Sequence, residues 1–246
     1  MLKIKKVINK LEEEILDIVL PKKCFGCQKE GTFLCPDCLK LIKLNSWQVC
    51  PICQKSLTEY GEVCRYCQLE KPPLDALTTA IDFQNPLIAK LVHSFKYKFI
   101  DELSIPLAQI LIQTFQKNKL TLPDLIIPVP LHPLRLRWRG FNQANLLAKN
   151  LAENLLPGFP IKINIQILTR SKFTSTQANL KKSQDRQKNV QNAFQVDLSQ
   201  INKIKNRRIL LIDDICTTSN TLLECSRQLR KLKPKSIHAL VISRQK

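Results

Sequence analysis

The sequence predicts an α/β protein in which helices flank a mostly parallel sheet, preceded by a small cysteine-rich domain. From residue 76 onwards, strand-like apolar runs alternate with amphipathic helical stretches, as in parallel sheets with helical connections. Eight of the ten cysteines, in contrast, occur before residue 68. We therefore divide the chain into an N-terminal helix over 1–21, a cysteine-rich domain over 22–70 and an α/β domain over 76–246.

The N-terminal stretch has the apolar periodicity of a helix. Its apolar residues recur at helical spacing and are Ile4, Ile8, Leu11, Ile15 and Val19. We expect this amphipathic helix to end at Pro21 and to cap one of the two domains, with a membrane-surface role as the alternative. The chain has neither a bilayer-length apolar run nor a signal-peptide pattern, so we expect a cytoplasmic protein.

The early cysteines form four C-x2-C pairs, which are Cys24/Cys27, Cys35/Cys38, Cys50/Cys53 and Cys64/Cys67. Each pair places two thiolates on one tight turn, and two turns complete a tetrahedral zinc site. In a cytoplasmic chain this spacing indicates metal binding rather than disulfides. Sequential pairing of the turns is preferred over a cross-braced arrangement that joins the first pair to the third. Because cysteines fill every position on each metal, we expect two structural zinc ions.

The α/β domain contains six predicted strands, at 76–83, 125–129, 161–168, 192–196, 208–212 and 237–242. Predicted helices lie at 86–97, 103–115 and 142–155, and a last helix opens after residue 217. Proline at position 86 suits a first helical position. Continuous apolar runs such as 208–212 fit strands that are buried on both faces of a parallel sheet.

The most informative stretch is 208–222, where an apolar run is followed by Asp213, Asp214 and several small hydroxyl residues. The free N–H groups and the dipole of a helix start hold phosphate, while carboxylates bind sugar hydroxyls or Mg²⁺. The stretch therefore predicts a sugar-phosphate site, with an ordinary N-capped turn as the alternative. Neighbouring strand residues point to opposite faces, so we expect the strand to end at Asp213 if both acids contact one ligand.

Basic residues cluster in the second half of a chain whose formal net charge is +19. Residues 128–144 combine a strand end, three arginines and a helix start, which indicates an anion site. Residues 168–194 are polar, basic and long for a loop, which favours a mobile lid. The candidate anion-binding residues are Lys96, Arg135, Arg137, Arg139, Arg170, Lys172 and Arg186.

The 208–222 stretch resembles the phosphoribosyl pyrophosphate (PRPP) binding motif of type I phosphoribosyltransferases. The resemblance implies that Asp213 and Asp214 hold the ribose hydroxyls. It assigns the 5′-phosphate to the loop residues Cys216, Thr217, Thr218, Ser219, Asn220 and Thr221. The family usually has glycine where this chain has Ser219, and glycine allows unusual dihedral angles and a close approach of the backbone.

Further motifs resemble the ComF family in their order along nearly the whole chain. They are the cysteine-rich head, His-Ser-Phe-Lys-Tyr at 93–97, Pro-Val-Pro-Leu-His-Pro at 128–133, Arg-Gly-Phe-Asn-Gln-Ala at 139–144 and the paired acids. This resemblance implies a type I phosphoribosyltransferase-like, Rossmann-like fold with an N-terminal double zinc ribbon. It also implies an association with DNA uptake in natural transformation.

The first functional hypothesis is that the chain binds PRPP with Mg²⁺ and transfers phosphoribosyl to an acceptor that the sequence does not identify. In this hypothesis Asp213, Asp214 and Arg139 take part in catalysis, and the arginines neutralise the leaving pyrophosphate. The alternative is a non-catalytic module that binds single-stranded DNA and uses the PRPP-type site for phosphate or a regulator. A third hypothesis is a regulator that binds PRPP without turnover. The DNA-uptake machinery is an expected partner.

Overall fold

The computed structural model of the protein describes residues 21–45, 47–173 and 190–245. The helix predicted over 1–21 lies outside these ranges except for its last residue, and so does the lid candidate Arg186. The chain divides between Ile42 and Lys43 into two compact units. No helix in the described ranges is long and apolar enough to cross a membrane.

The first unit is organised around its cysteines. The N–H of Gln28 donates to the Cys24 carbonyl at 2.9 Å, which closes a tight turn. Helix α1 (Pro36–Lys40) begins directly after Cys35, and proline at its start needs no N–H partner. Cys24 and Cys35 are buried, although a unit of this size has little apolar core.

The second unit begins with the remaining cysteine turns and continues into the α/β domain. Strands β1 (Gln48–Val49) and β2 (Leu57–Thr58) form an antiparallel pair on either side of the Cys50/Cys53 turn. A short helix, α2 (Arg65–Gln68), carries the last cysteine. These elements therefore belong to the same compact unit as the sheet.

Four parallel strands form the main sheet, in the order β3–β8–β7–β4. They are β3 (Ala76–Asp82), β4 (Leu125–Pro128), β7 (Arg208–Cys216) and β8 (Ser236–Arg244). A separate antiparallel hairpin consists of β5 (Leu168–Arg170) and β6 (Phe194–Val196). The parallel pairing confirms the predicted fold class, and β7 extends four residues beyond its predicted end at residue 212.

Helices connect these strands. They are α3 (Pro86–Tyr97), α4 (Ser104–Lys117), α5 (Pro133–Arg139), α6 (Gln143–Asn154), α7 (Ile201–Ile204) and α8 (Asn220–Arg230), with 3₁₀ turns at Asp101–Leu103 and Leu198–Gln200. Helices α4 and α6 pack on each other and on the sheet. Leu211, Val241 and Leu222 share a buried cluster with Phe194 of the hairpin, so α8 and the hairpin cover alternate residues of the strands.

The strand predicted over 161–168 is wrong for most of its length. Only Ile163 forms an isolated bridge to β4, and Leu168 belongs to the hairpin. The side chain of Asn164 explains the interruption, because its Oδ1 accepts the N–H groups of Gln166 and Ile167, each at 3.0 Å. An Asn that bonds its own following backbone turns the chain away from a sheet ladder.

The outer edge of β3 is covered by the segment that follows β2. The N–H of Leu77 donates to the Gly61 carbonyl at 2.8 Å. Gly61 has φ +83°, and a Cβ added there would lie 1.9 Å from the Leu77 carbonyl oxygen. Glycine at this position therefore permits both the left-handed backbone and the close approach that protects the sheet edge.

We expect Gly61→Ala to destabilise the protein by more than about 2 kcal/mol, because the new Cβ meets backbone that cannot move independently of the sheet. Gly140→Ala is the matched control, since Gly140 has φ +75° but nothing within 4 Å of an added Cβ. Urea unfolding should show a cost of only about 1 kcal/mol for the control. Equal costs for the two variants would contradict the close-approach argument.

Candidate functional site

A cavity of about 250 Å³ opens at the carboxyl ends of β4 and β7, where ligands bind in open parallel sheets. Its charged lining residues are Lys96, Arg135, Arg139, Arg170, Asp213 and Asp214. Four cations therefore face two carboxylates, and the excess of positive charge suits a polyanion. A larger cavity of about 900 Å³ lies at the opposite, amino ends of the strands, and its charged lining residues are Glu62, Lys71, Asp75, Lys119, Arg208 and Arg230. There Arg230 pairs with Asp75 and Arg208 pairs with Asp124, and the hydroxyl-rich loop does not line this cavity.

Both acids reach this cavity because β7 is longer than its neighbour. Strand β4 ends at Pro128, which pairs with Ile212, so the edge of β7 is open on that side from Asp213 onwards. The expectation that β7 ends at Asp213 is wrong. The neighbouring strand ends instead, and both carboxylates line the opening.

Each carboxylate is held by an adjacent backbone N–H. Asp213 Oδ1 accepts the N–H of Asp214 at 2.9 Å, and Asp214 Oδ1 accepts the N–H of Ile215 at 2.6 Å. Lys96 at the end of α3 places its Nζ 2.8 Å from Asp214 Oδ1. Asp214 is 6% exposed, so this ion pair is largely shielded from solvent.

Burial and the neighbouring carboxylate of Asp214 raise the pKa of Asp213 to about 7, although Lys96 and Arg170 act in the opposite direction. Two carboxylates this close resist ionising together. A cation or a set of hydroxyl donors placed between them would relieve the repulsion. The pair thus fits Mg²⁺ or a sugar diol by its chemistry.

The arginines converge from different elements. Burial and the guanidinium groups of Arg170 and Arg139 lower the pKa of Arg135, and burial lowers the pKa of Arg170. The guanidinium of Arg139 donates from Nη1 to Gln143 Oε1 at 2.9 Å, while its Nε is buried without a partner among the described residues. Cations that repel one another in this way favour a bound anion.

The loop that follows β7 adopts, at Ser219, the left-handed backbone conformation that glycine provides in the related motifs. Ser219 has φ +61°, and its Oγ accepts a hydrogen bond from Nη2 of the buried Arg244 at 2.5 Å. Thr217 and Thr221 line the cavity. In the described part of the chain, Thr218 Oγ1 and Asn220 Nδ2 are buried without hydrogen-bond partners, and neither residue lines the cavity.

Other predicted site residues do not line this cavity, and among them are Thr218, Ser219 and Asn220 of the loop. Arg137 and Lys172 are exposed and do not line it. Cys216 is buried, and burial raises the pKa of its thiol, so it is not a reactive thiolate. Cys225 is also buried, as expected of a packed side chain. His132 caps α5 by accepting the N–H of Leu134 at Nδ1.

The structure adds three residues that were not among the candidates predicted from the sequence. Arg244 comes from the end of β8, and Asn142 and Gln143 come from the start of α6. Arg244 reaches the loop only through the parallel register of β7 and β8, which sets it opposite Cys216. Asn142 lies within the Arg-Gly-Phe-Asn-Gln-Ala motif, so its signal was present; its side chain donates to the Val129 carbonyl at 3.0 Å.

An exposed aromatic surface borders the cavity. The Arg139 guanidinium lies 5.6 Å from the centre of the Tyr97 ring and 5.9 Å from that of Trp138. Phe99 meets Trp138 edge-on at 5.3 Å between ring centres. Trp138 is 61% exposed, so much of this residue is accessible to a stacking partner.

The cysteines gather into two groups by sequential pairing, as preferred from the sequence. The groups are Cys24, Cys27, Cys35, Cys38 and Cys50, Cys53, Cys64, Cys67, and within each group the Sγ atoms lie within 4.8 Å of one another. Sulfur–sulfur distances of 3.7 Å and 3.9 Å occur between adjacent turns. A tetrahedron with Zn–S bonds of about 2.3 Å has edges of about 3.8 Å, so both groups fit zinc.

The electrostatics of the second group also favour a cation. The N–H groups of Ser56 and Lys55 lower the pKa of the Cys53 thiol to about 5. Burial and the sulfurs of Cys64 and Cys53 raise the pKa of Cys67 to about 12, because further negative charge is repelled. A bound zinc ion would let all four sulfurs ionise.

Comparisons with known proteins agree with this geometry. A phosphoribosyl transferase domain model matches residues 138–246, and a double zinc ribbon domain model matches residues 15–68. Competence protein F of Haemophilus influenzae is 35% identical over 233 residues, which cover 90% of this chain and 96% of that protein. The chain belongs to the ComF family.

Other relatives extend the similarity within the family. DNA utilization protein YhgH of Salmonella typhi is 30% identical, over 80% of this chain and 90% of its own length. Competence protein ComFC of Bacillus subtilis is 27% identical, over 86% of this chain and 84% of its own length. The similarity therefore includes both the cysteine-rich region and the α/β domain.

We expect the pKa of Asp213 to make stability fall as pH rises in the ligand-free protein. Its pKa lies near 7 in the folded chain, against an ordinary value of 3.8, so the folded state binds more protons between these values. The destabilisation that results from ionising Asp213 is absent below about pH 4 and complete above about pH 7. Asp213→Asn should remove it, so that the unfolding free energies of the variant and the parent in urea diverge between pH 4 and 7, to on the order of 4 kcal/mol. A pH-independent difference would contradict the assignment.

Two variants of Ser219 separate backbone strain from the Arg244 hydrogen bond. Ser219→Ala keeps a Cβ in the left-handed conformation and removes the hydroxyl, so we expect a loss of about 2 kcal/mol. Ser219→Gly also removes the hydroxyl but relieves about 1 kcal/mol of strain, so its loss is smaller. Urea unfolding of both variants tests this order. Parent-like stability of Ser219→Ala would mean that Arg244 does not hold the loop.

Proposed function

We propose that this chain binds PRPP with Mg²⁺ at the cavity beyond β4 and acts as a phosphoribosyltransferase-type protein. The observation that supports the proposal is the convergence of two carboxylates, four cations and a hydroxyl-rich loop on one opening of the sheet. A phosphorylated sugar with a pyrophosphate group needs these three kinds of partner. The names of the relatives support a place for this activity in the handling of incoming DNA.

In the proposed complex, Asp213 and Asp214 accept hydrogen bonds from the ribose hydroxyls. The 217–221 loop surrounds the 5′-phosphate with its N–H groups and with the hydroxyls of Thr217 and Thr221, which line the cavity. Lys96 leaves Asp214 and turns to the pyrophosphate. Mg²⁺ bound beside Asp213 and Asp214 would neutralise part of the charge on that pyrophosphate.

Transfer breaks the bond between the anomeric carbon and the pyrophosphate oxygen. Positive charge develops on the ribose and negative charge on the leaving group, so groups that stabilise both charges accelerate the step. Asp213 and Asp214 lie on the ribose side of the cavity in this arrangement. Arg135, Arg139 and Arg170 supply the positive charge for the leaving group.

Calorimetric titration of Mg²⁺-PRPP into the zinc-loaded protein tests this proposal. We expect saturable binding by the parent and at least a tenfold weaker affinity for the Asp213→Asn/Asp214→Asn double variant, since hydrogen bonds to charged groups are lost. Zinc content and the melting temperature at pH 5 serve as controls for folding. Absence of binding to the parent, or equal binding to the variant, would contradict the proposal.

A second candidate function, single-stranded DNA binding, is favoured by the exposed aromatic surface. Bases stack on open aromatic rings while adjacent cations contact the backbone phosphates. Trp138→Ala should weaken binding of a labelled oligonucleotide about fivefold or more, whereas Trp47→Ala, at a residue that is 73% exposed in the cysteine-rich region, should not. Fluorescence anisotropy at several salt concentrations measures both variants. Equal effects of the two variants would contradict this function.

A further inference from the structure

The first and third cysteine turns have the same local structure but differ in where one side chain points. Each has the sequence Cys-x-x-Cys-Gln, and the glutamines Gln28 and Gln54 have φ +64° and +57°. The N–H of each donates to the carbonyl of the first cysteine, at 2.9 Å to Cys24 and 3.0 Å to Cys50. The two turns therefore provide a natural internal comparison.

The side chain of Gln28 folds back onto its own turn, where Nε2 donates to the Cys24 carbonyl at 3.2 Å. The side chain of Gln54 instead leaves its turn and donates from Nε2 to the Thr218 carbonyl at 3.2 Å. Thr218 lies in the 217–221 loop, directly before the left-handed Ser219. One cysteine turn thus makes direct contact with the loop proposed to hold phosphate.

The turn that carries Gln54 is anchored to the sheet independently of that contact. The buried Gln48 accepts the N–H of Thr79 at 2.8 Å and donates to the Thr79 carbonyl at 3.1 Å. Thr78 Oγ1 donates to the Tyr60 carbonyl at 2.7 Å. Because these hydrogen bonds join both flanks of the turn to β3, Gln54 projects from a fixed position.

We propose that Gln54 is a positioning residue of the phosphate loop, so that the second four-cysteine site is part of the phosphoribosyl site. This inference rests on the proposed function of the loop. The peptide unit between Thr218 and Ser219 is planar, so a hydrogen bond that fixes the Thr218 carbonyl also fixes the direction of the Ser219 N–H. Arg244 holds the next side chain, and the two contacts together fix the loop on both sides of that peptide unit.

The metal state of the second site then affects the loop. The 50–54 turn contains two of the four cysteines of this site, and Gln54 comes directly after Cys53. Loss of the geometry of this turn would move Gln54 and release the Thr218 carbonyl. In the first four-cysteine site, the corresponding side chain of Gln28 bonds its own turn.

The test compares Gln54→Met with Gln28→Met in the full zinc-loaded chain. Methionine keeps the length of the side chain and removes the N–H donor. We expect Gln54→Met to weaken the affinity for Mg²⁺-PRPP about threefold to tenfold by calorimetry, the effect of one lost hydrogen bond. Amide hydrogen exchange of peptides covering 217–221 should become faster in the same variant without ligand. Gln28→Met should match the parent in both measurements.

The remaining outcomes also support or overturn the positioning role of Gln54. Parent-like affinity and exchange in Gln54→Met would overturn the positioning role, and loss of zinc from that variant would show that Gln54 serves the metal site instead. If the parent itself does not bind PRPP, the proposed function fails. The exchange measurement then decides the positioning role alone: faster exchange at 217–221 in Gln54→Met supports it, and unchanged exchange overturns it.

Discussion

The early end of β4 is the constraint on which the site depends. Pro128 pairs with Ile212, and β7 continues to Cys216 without a neighbouring strand on that side among the described residues. In a parallel sheet, an unpaired edge at the carboxyl end of a strand leaves space and unused backbone groups for a ligand. Here the adjacent carboxylates of Asp213 and Asp214 use part of that edge by accepting its N–H groups. Both acids consequently border one cavity even though strand geometry turns them to opposite faces.

Charge and backbone conformation around this opening are held by parts of the chain that are far apart in sequence. Lys96 pairs with Asp214, while the guanidinium of Arg170 is close enough to Arg135 to lower the pKa of Arg135. Ser219 adopts the conformation usually reserved for glycine, and the hydrogen bond from Arg244 offsets part of that cost. The site is thus preorganised for an anion at some cost in stability, as is common at binding sites.

Much of this arrangement follows from local sequence, and the remainder depends on tertiary packing. The C-x2-C spacing predicted both cysteine groups, and the apolar run before Asp213 predicted the strand that positions the acids. The strand over 161–168 was wrong because a single side chain, Asn164, bonds its own backbone. Arg244 and Gln54 reach the phosphate loop only through strand register and the docking of a cysteine turn, which no local pattern encodes. Arg186 lies outside the described residues, so its place in a lid stays a prediction.

The crystal structure of the protein with Mg²⁺ and PRPP is the most direct test of the central claim. The account predicts that the ribose hydroxyls lie within hydrogen-bond distance of Asp213 and Asp214, with the 5′-phosphate on the 217–221 loop. It also predicts that Lys96 has left Asp214 and faces the pyrophosphate. PRPP bound elsewhere, such as in the larger cavity near Ala76 and Ser236, would contradict the account, as would an intact Lys96–Asp214 pair beneath the ligand.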